Sequence, residues 1–215
     1  TENAKSTRHF LNRVHAVVPL QRPLQDHTIT LLPRQAHKKG DHTHSTHNDL
    51  AMQALLNPCL SGHSVGLVSE AGMPTIADPG SSVVRAAHTM GIKVIPLVGP
   101  VSLMMGLASS GLNGQNFAFV GYLPIASDER DAKIAQLQAI SQKTGQTQIV
   151  IETPYRNRTL LESLVAQLPP TMRLAVLCGA SLESESAYSA LVHQWRKQTP
   201  LLPLDLPTVF MFGKG

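Results

Sequence analysis

The chain has 215 residues, of which 42% are hydrophobic and 15% are charged. This composition excludes a disordered tail, a collagen-like chain and a coiled coil, since each needs a stronger bias. A net charge of +4 fits an anionic substrate such as RNA, but it also fits many ordinary enzymes. Aromatic residues make up only 4% of the chain, which argues against nucleic-acid recognition by stacked aromatic side chains.

The cellular compartment is predicted from apolar runs and cysteines. No uninterrupted apolar run approaches the length of a membrane span, so we expect a soluble chain with no membrane partner. Cys59 and Cys178 lie far apart in apolar surroundings, which favours free thiols in a reducing cytoplasm over a disulfide framework. The chain starts without Met, and we expect an amino-terminal piece to precede it.

Short apolar runs alternate with segments of helical periodicity along most of the chain. In chain order we predict helix 47–56, strand 65–69, helix 81–90, strand 93–97, helix 102–110, strand 117–121, helix 128–141, strand 148–152, helix 156–168 and strands 173–178 and 208–212. This alternation predicts an α/β fold with largely parallel strand pairing. A long polar helix follows strand 117–121, so we predict an N-terminal α/β domain over 1–120 and a C-terminal α/β domain over 121–215.

A histidine-rich segment, 37–47, interrupts the alternation. His42 and His44 alternate and His47 follows three residues later, a spacing that makes a metal site conceivable. No cysteine or carboxylate pair completes a familiar set of ligands. We therefore expect a polar loop and no metal site.

Two loops at predicted strand ends are rich in small residues. In open α/β sheets, ligands bind beyond the carboxyl ends of the strands, where such loops lie. Ala71 and Gly72 in the first loop let a backbone approach a ligand closely, and Asp78 is placed to cap the helix that follows. The second loop, 96–102, leads into helix 102–110, where the small residues Gly106, Ala108 and Ser109 permit close packing. Neither loop has the dinucleotide or P-loop spacing.

The motifs, taken in order, carry a resemblance to a known family. They are Glu-Asn-Ala-Lys-Ser-Thr-Arg at 2–8, Glu-Ala-Gly-Met-Pro-x-x-Ala-Asp-Pro-Gly at 70–80, Val-Gly-Pro-Val-Ser at 98–102, Ser-Gly-Leu at 110–112, Phe-x-Gly-Tyr-Leu-Pro at 119–124 and Glu-Thr-Pro-Tyr-Arg-Asn at 152–157. In this order they resemble the tetrapyrrole methylase superfamily, and within it the branch of ribosomal RNA small-subunit methyltransferase I. One such motif would be weak evidence for the resemblance, but six motifs in the same order are specific evidence for it.

The resemblance implies two α/β domains with a cofactor cleft between them and S-adenosylmethionine as the cofactor. Its cofactor loops fall on Ser69, Glu70, Ala71 and Gly72, with Asp78, and on Gly99, Pro100, Val101 and Ser102. Further cofactor contacts fall on Tyr122, Leu123, Cys178, Gly179 and Ala180. It also implies a homodimer, for which we expect apolar surface near helices 102–110 and 81–90.

The acceptor is predicted less directly. If it is a ribose hydroxyl, a base must help to remove its proton; Glu2, Glu70 and Glu152 are the candidates, with a salt bridge or a helix cap as the alternative for each. Lys5, Tyr155 and Arg156 are candidate substrate contacts. Three functions remain open: 2′-O-methylation of small-subunit ribosomal RNA, methylation of a small molecule such as a tetrapyrrole, and cofactor binding without catalysis.

Overall fold

The computed structural model describes residues 1–33 and 46–215, with side chains described from residue 50 onward in the second range. The chain forms two compact units, Thr1–Gly99 and Pro100–Gly215. The predicted histidine-rich segment, with His42, His44 and the side chain of His47, lies outside the described residues. No helix in the described ranges is long and apolar enough to cross a membrane.

The first unit is helical in its described part. Its elements are α1 (Ala4–Val17), a 3₁₀ turn (Leu24–Asp26), α2 (Thr46–Leu60) and α3 (Ser81–Thr89). Asn3 is the N-cap of α1, and its side-chain oxygen accepts hydrogen bonds from the backbone N–H groups of Lys5 and Ser6 at 2.9 and 3.4 Å. This capping starts α1, a helix that the sequence analysis missed.

Helices α2 and α3 pack against each other over a small apolar core. Its buried members are Leu32, Met52, Leu56, Val83, Ala86 and Ala87. The N-cap of α3 is Gly80, which has no side chain to offer, so the helix does not begin at an Asp78 cap as predicted. The apolar face of α3 is used inside its own unit, which leaves little of it for the predicted dimer contact.

The predicted strands 65–69 and 93–97 are wrong for the described structure, because neither segment pairs in a sheet. A strand is defined by hydrogen bonds to a neighbour, and apolar composition does not predict whether a neighbour is present. Leu67 packs instead against the core of α2 and α3, as does Ile92, which directly precedes the second segment. Other side chains of these segments stay exposed, including Val65, Ile95 and Leu97.

The second unit is built on a five-stranded sheet. Its strands are β1 (Phe117–Tyr122), β2 (Thr147–Glu152), β3 (Met172–Cys178), β4 (Ser186–Leu191) and β5 (Thr208–Lys214), and their order across the sheet is β1-β2-β5-β3-β4. The prediction of largely parallel pairing is wrong, because only β1 and β2 pair in parallel and the other three pairs are antiparallel. The chain returns in β5 to fill the gap between β2 and β3.

Helices cover the sheet on both faces. Helix α4 (Ser102–Ser110) packs on one face over Ile149, Val209 and Met211. Helices α5 (Ser127–Thr144), α6 (Asn157–Gln167) and α7 (Val192–Lys197) pack on the other, around Trp195, Phe210 and Phe212. The division between the units falls before α4, and the predicted domain boundary after residue 120 remains a prediction.

Gly106 sets how closely α4 approaches the sheet. A Cβ on this residue would lie 2.9 Å from the sulfur of Met211 and 3.1 Å from its methyl carbon. The apolar face of α4, with buried Leu103 and Leu107, is therefore used against its own sheet. The sequence-based expectation of close packing is confirmed for Gly106 and is wrong for Ala108 and Ser109, which are exposed.

We expect Gly106→Leu to lower the free energy of unfolding by about 1–3 kcal/mol, because the added side chain forces α4 off the sheet. Ala108→Leu is the matched control, since Ala108 lies on the exposed face of the same helix. Chemical denaturation of both variants measures the difference. Equal stability of the two variants would contradict this account of the packing.

Candidate functional site

The predicted site residues fall into two sets, one in each unit. Glu2, Lys5, Asp78 and the loop 69–72 belong to the first unit, and the predicted residues from Pro100 onward belong to the second. The turn 99–102 spans the division, with Gly99 ending the first unit. Each set is described by itself.

The loop after residue 68 has an unusual backbone. The Ser69 hydroxyl donates to the carbonyl oxygens of Ala71 and Gly72 at 3.1 and 3.3 Å, which holds the turn. Gly72 lies at φ 70°, and Thr75 and Ala77 lie at φ 73° and 63°. A β-branched residue in this left-handed region is strained, and such strain is concentrated at functional sites. The geometry therefore agrees with a binding role for this loop.

Three carboxylates of the first unit interact there. The Ser6 hydroxyl donates to Glu70 Oε1 at 2.6 Å, and the backbone N–H of Glu70 donates to Glu2 Oε1 at 3.3 Å. Partial burial, together with the negative charges of Glu2 and Glu70, raises the pKa of the Asp78 carboxyl to about 6. A carboxylate with such a pKa can accept a proton near neutral pH.

The structure thus joins two predicted catalytic residues with a predicted cofactor residue. Ser6, which links α1 to Glu70, was missed by the sequence analysis because a lone serine carries no pattern. Lys5 stands beside it in the first turn of α1 and is exposed. An exposed lysine side chain can contact an anion, but its exposure does not fix it in one position.

The second set lies at one edge of the sheet. Strand β5 is antiparallel to both β2 and β3, and β1 is parallel to β2, so β1, β2 and β3 all end at the same edge. The predicted residues found at these three strand ends are Tyr122, Leu123, Glu152, Tyr155, Arg156, Cys178, Gly179 and Ala180. These residues lie at strand ends, and their role in a site remains a prediction.

Glu152 is held by its own sequence neighbours. Its Oε1 accepts hydrogen bonds from the backbone N–H of Thr153 at 2.7 Å and from the Arg156 guanidinium at 2.6 Å. The residue is only 8% exposed, so the ion pair is sheltered from solvent. This is the salt bridge that the sequence analysis kept as the alternative to a catalytic base.

Arg156 in turn lies over the ring of Tyr155, with the guanidinium carbon 5.7 Å from the ring centroid. Because Arg156 is also hydrogen bonded to the Thr153 hydroxyl, it is fixed from two sides. Tyr155 itself is 82% exposed. The arrangement presents an aromatic ring to solvent on a rigid support.

The end of β3 packs tightly against the segment that precedes β5. The Gly179 N–H donates to the Pro207 carbonyl at 2.8 Å, and a Cβ on Gly179 would lie 2.8 Å from Leu206 Cδ1. Burial raises the pKa of the Cys178 thiol, so this thiol stays protonated and unreactive. Only the backbone of this segment and the partly buried Ala180 are left to contact a ligand.

Two further residues support the strand ends. Asn157, which is fully buried, donates from its side-chain nitrogen to the carbonyls of Leu204 and Leu206 at 2.8 and 2.9 Å. Val101 packs in the same apolar cluster as Ala180 and Ile151, which places the start of α4 beside the strand ends. Asn157 is the last residue of the motif that contains Arg156, but the sequence analysis did not name it as a site residue.

Among the described residues, no group of three or more His, Cys, Asp or Glu side chains could hold a metal ion.

Comparison with known proteins finds relatives that share the same protein name. The chain is 38% identical over 113 residues to ribosomal RNA small subunit methyltransferase I of Vibrio cholerae, covering 53% of this chain and 38% of that protein. It is 36% identical over 134 residues to the protein of the same name from Xylella fastidiosa, covering 62% and 47%. The chain thus spans less than half the length of these curated relatives.

Two other comparisons add little. No protein-family model matches the chain. A solved structure of the methyltransferase CobJ matches with a TM-score of 0.48 at 16% identity, covering 74% of this chain and 68% of that one.

The raised pKa of Asp78 predicts a pH-dependent stability. The folded protein holds a proton on Asp78 more tightly than the unfolded chain does, so stability falls as pH rises from about 4 through about 6. We expect Asp78→Asn to raise the melting temperature at pH 8 and to leave it unchanged at pH 4. Thermal denaturation at both pH values measures this.

Asp26→Asn is the control, since Asp26 is an exposed carboxylate elsewhere in the same unit. A melting temperature of Asp78→Asn that is lower than that of the wild type at pH 8 would show that the Asp78 carboxylate stabilises the fold.

Proposed function

Since the chain is homologous to proteins named ribosomal RNA small subunit methyltransferase I, we propose that it transfers a methyl group from S-adenosylmethionine to small-subunit ribosomal RNA. The likeness to these relatives is the observation that carries the proposal. The strand-end residues and the strained loop support it, because both are places where an α/β protein binds a ligand.

The proposed cofactor contacts are those predicted from the motifs. They are the backbone of the loop 69–72 with Asp78, the turn 99–102, Tyr122 with Leu123, and residues 178–180. Two observations fit a sulfonium cofactor. The space around the Gly72 Cα is open to a ligand, since a Cβ there would contact nothing within 4 Å. The clustered carboxylates of Glu2, Glu70 and Asp78 provide negative charge for a cation.

S-adenosylmethionine, when bound, supplies a methyl group on a good leaving group. The contribution of the chain is then to align the acceptor, exclude water and take a proton from the acceptor hydroxyl. We propose that Glu2 or Glu70 takes this proton from a ribose 2′-hydroxyl. The hydrogen bond from Ser6 holds the Glu70 carboxylate in one orientation.

Glu152 fits a different role from the predicted one. Proton acceptance by its Oε1 would require the loss of the Arg156 ion pair and of the Thr153 hydrogen bond. We propose that Glu152 positions Arg156 and, through it, Tyr155. Tyr155 and Lys5 remain proposed substrate contacts. Arg156 contributes to substrate binding mainly by supporting the ring of Tyr155.

We further propose that the protein acts as a homodimer in the cytoplasm. Two-fold pairing is the commonest form of soluble homo-oligomers, and the free thiols Cys59 and Cys178 suit a reducing compartment.

The proposed function is tested by offering tritiated methyl donor to the natural protein with three acceptors: small ribosomal subunits, bare small-subunit ribosomal RNA and a tetrapyrrole precursor. We expect label in the RNA, lost when Glu70→Gln replaces the wild type. Label in the tetrapyrrole alone would replace the proposal with a small-molecule methyltransferase. Donor binding without any transfer would leave a cofactor-binding protein that is not a catalyst.

The loop 69–72 is tested by Gly72→Val. We expect this variant to lose binding of S-adenosylhomocysteine, because a branched side chain fills the approach to the backbone. Gly62→Val is a matched control: Gly62 lies at φ 81° with open space around it, so both variants carry a similar backbone strain. Calorimetric titration measures binding, and normal binding by Gly72→Val would place the cofactor elsewhere.

A further inference from the structure

The aromatic residues of the second unit divide into two groups. Trp195, Phe210 and Phe212 are fully buried, and Tyr188 packs edge-on against Trp195. The other four are exposed and form what we call the aromatic row. Three lie on β1, Phe117 at 38%, Phe119 at 37% and Tyr122 at 57%, and Tyr155, at 82%, lies in the turn that follows β2. In a chain with so few aromatic residues, four exposed rings in one region require an explanation.

A β-bulge brings Tyr122 onto the same face as the phenylalanines. Phe119 pairs with Ile149 and Tyr122 with Ile151, so the register shifts between Phe119 and Gly121. Gly121, at φ 83°, takes the left-handed conformation that such a bulge needs. Without the extra residue, strict alternation would turn Tyr122 to the opposite face. The three rings therefore line one face because the strand is irregular.

Helix α4 lies on this face of the sheet, mainly over β3, β4 and β5. On the edge strand β1, the side chains of Phe117 and Phe119 stay more than a third exposed. Phe117 and Phe119 are two residues apart, a spacing of about 6.6 Å. That is roughly twice the 3.4 Å step between stacked bases, so an unstacked nucleotide can face each ring.

Tyr155 extends the row at the end of the neighbouring strand. It lies four residues beyond Ile151, the partner of Tyr122 in the sheet. Its ring rests on a guanidinium that Glu152 and Thr153 already hold. A ring that is fixed on one side and exposed on the other is a preorganised platform, which loses little freedom when a flat partner binds.

We propose that Phe117, Phe119 and Tyr155 of the aromatic row are a stacking surface for unstacked bases of an RNA that approaches the strand ends, whereas Tyr122 keeps the cofactor contact proposed above. This inference rests on the proposed function, which makes RNA the substrate. Proteins recognise RNA sequence mostly in single-stranded segments, whose bases are splayed out and stack on aromatic side chains. The row carries no charged side chain, so it recognises the faces of bases and contributes little to phosphate binding.

The variants Tyr155→Leu and Phe119→Leu remove a π-face while keeping apolar bulk. We expect each to weaken binding of a single-stranded oligoadenylate by about tenfold. Because stacking involves no ion release, the slope of affinity against salt should equal that of the wild type. Tyr155→Phe, which keeps the ring, should bind as the wild type does.

Phe10→Leu is the matched control, since Phe10 is 50% exposed on α1 and lies outside the row. Binding is measured by fluorescence anisotropy without methyl donor, so its result does not depend on methyl transfer. Thermal denaturation reports whether Phe119→Leu folds, and the highly exposed Tyr155 gives a second variant in which folding is not at issue.

The outcomes separate the inference from the proposed function. Unchanged oligoadenylate affinity in both leucine variants overturns the stacking surface even when methyl transfer to RNA is found. Weaker binding without any methyl transfer supports the surface and removes the proposed function. Two other results would also overturn the inference. If the leucine variants bind RNA normally but sediment as a smaller species, the aromatic row contacts a second copy of the chain. If only their binding of S-adenosylhomocysteine falls, the aromatic row contacts the cofactor.

Discussion

The second unit depends on strand β5, which is hydrogen bonded along its length between β2 and β3. This strand carries the two phenylalanines at the centre of one core, Phe210 and Phe212, and the Met211 side chain on which α4 rests. Because β5 runs against both neighbours, β2 and β3 point the same way. The ends of β1, β2 and β3 thus meet at one edge although most pairs in the sheet are antiparallel.

The position of β5 explains why the strands were predicted in the right places while their directions were predicted wrongly. Strands 117–121, 148–152, 173–178 and 208–212 were predicted from apolar runs with turn residues at their ends, and all four form. Their directions were inferred from helical crossovers alone, and β5, which follows α7 and a proline-containing loop, does not obey that rule. β4 was missed because Ser186, Ala187 and Ser189 give it little β-propensity.

In the first unit, local sequence patterns predicted less of the structure. Segments 65–69 and 93–97 have the composition of buried strands, but composition cannot supply a hydrogen-bonding neighbour, and they do not pair in the described structure. The loop that follows residue 68 was predicted from its small residues. The hydrogen bond from Ser6 to Glu70 joins residues that are distant in sequence, which no local pattern encodes. The left-handed backbone at Thr75 and Ala77 falls on residue types that do not predict it.

The bulge at Gly121 also affects how related chains should be compared. If a single residue were inserted in or deleted from β1, every side chain beyond that position would move to the opposite face of the sheet. An alignment could then show an aromatic residue at each corresponding column while the rings of the two proteins project from opposite sides of the sheet. In this strand, residue count therefore determines chemical environment as strongly as residue identity, and a gap of one position is a larger structural change than several substitutions.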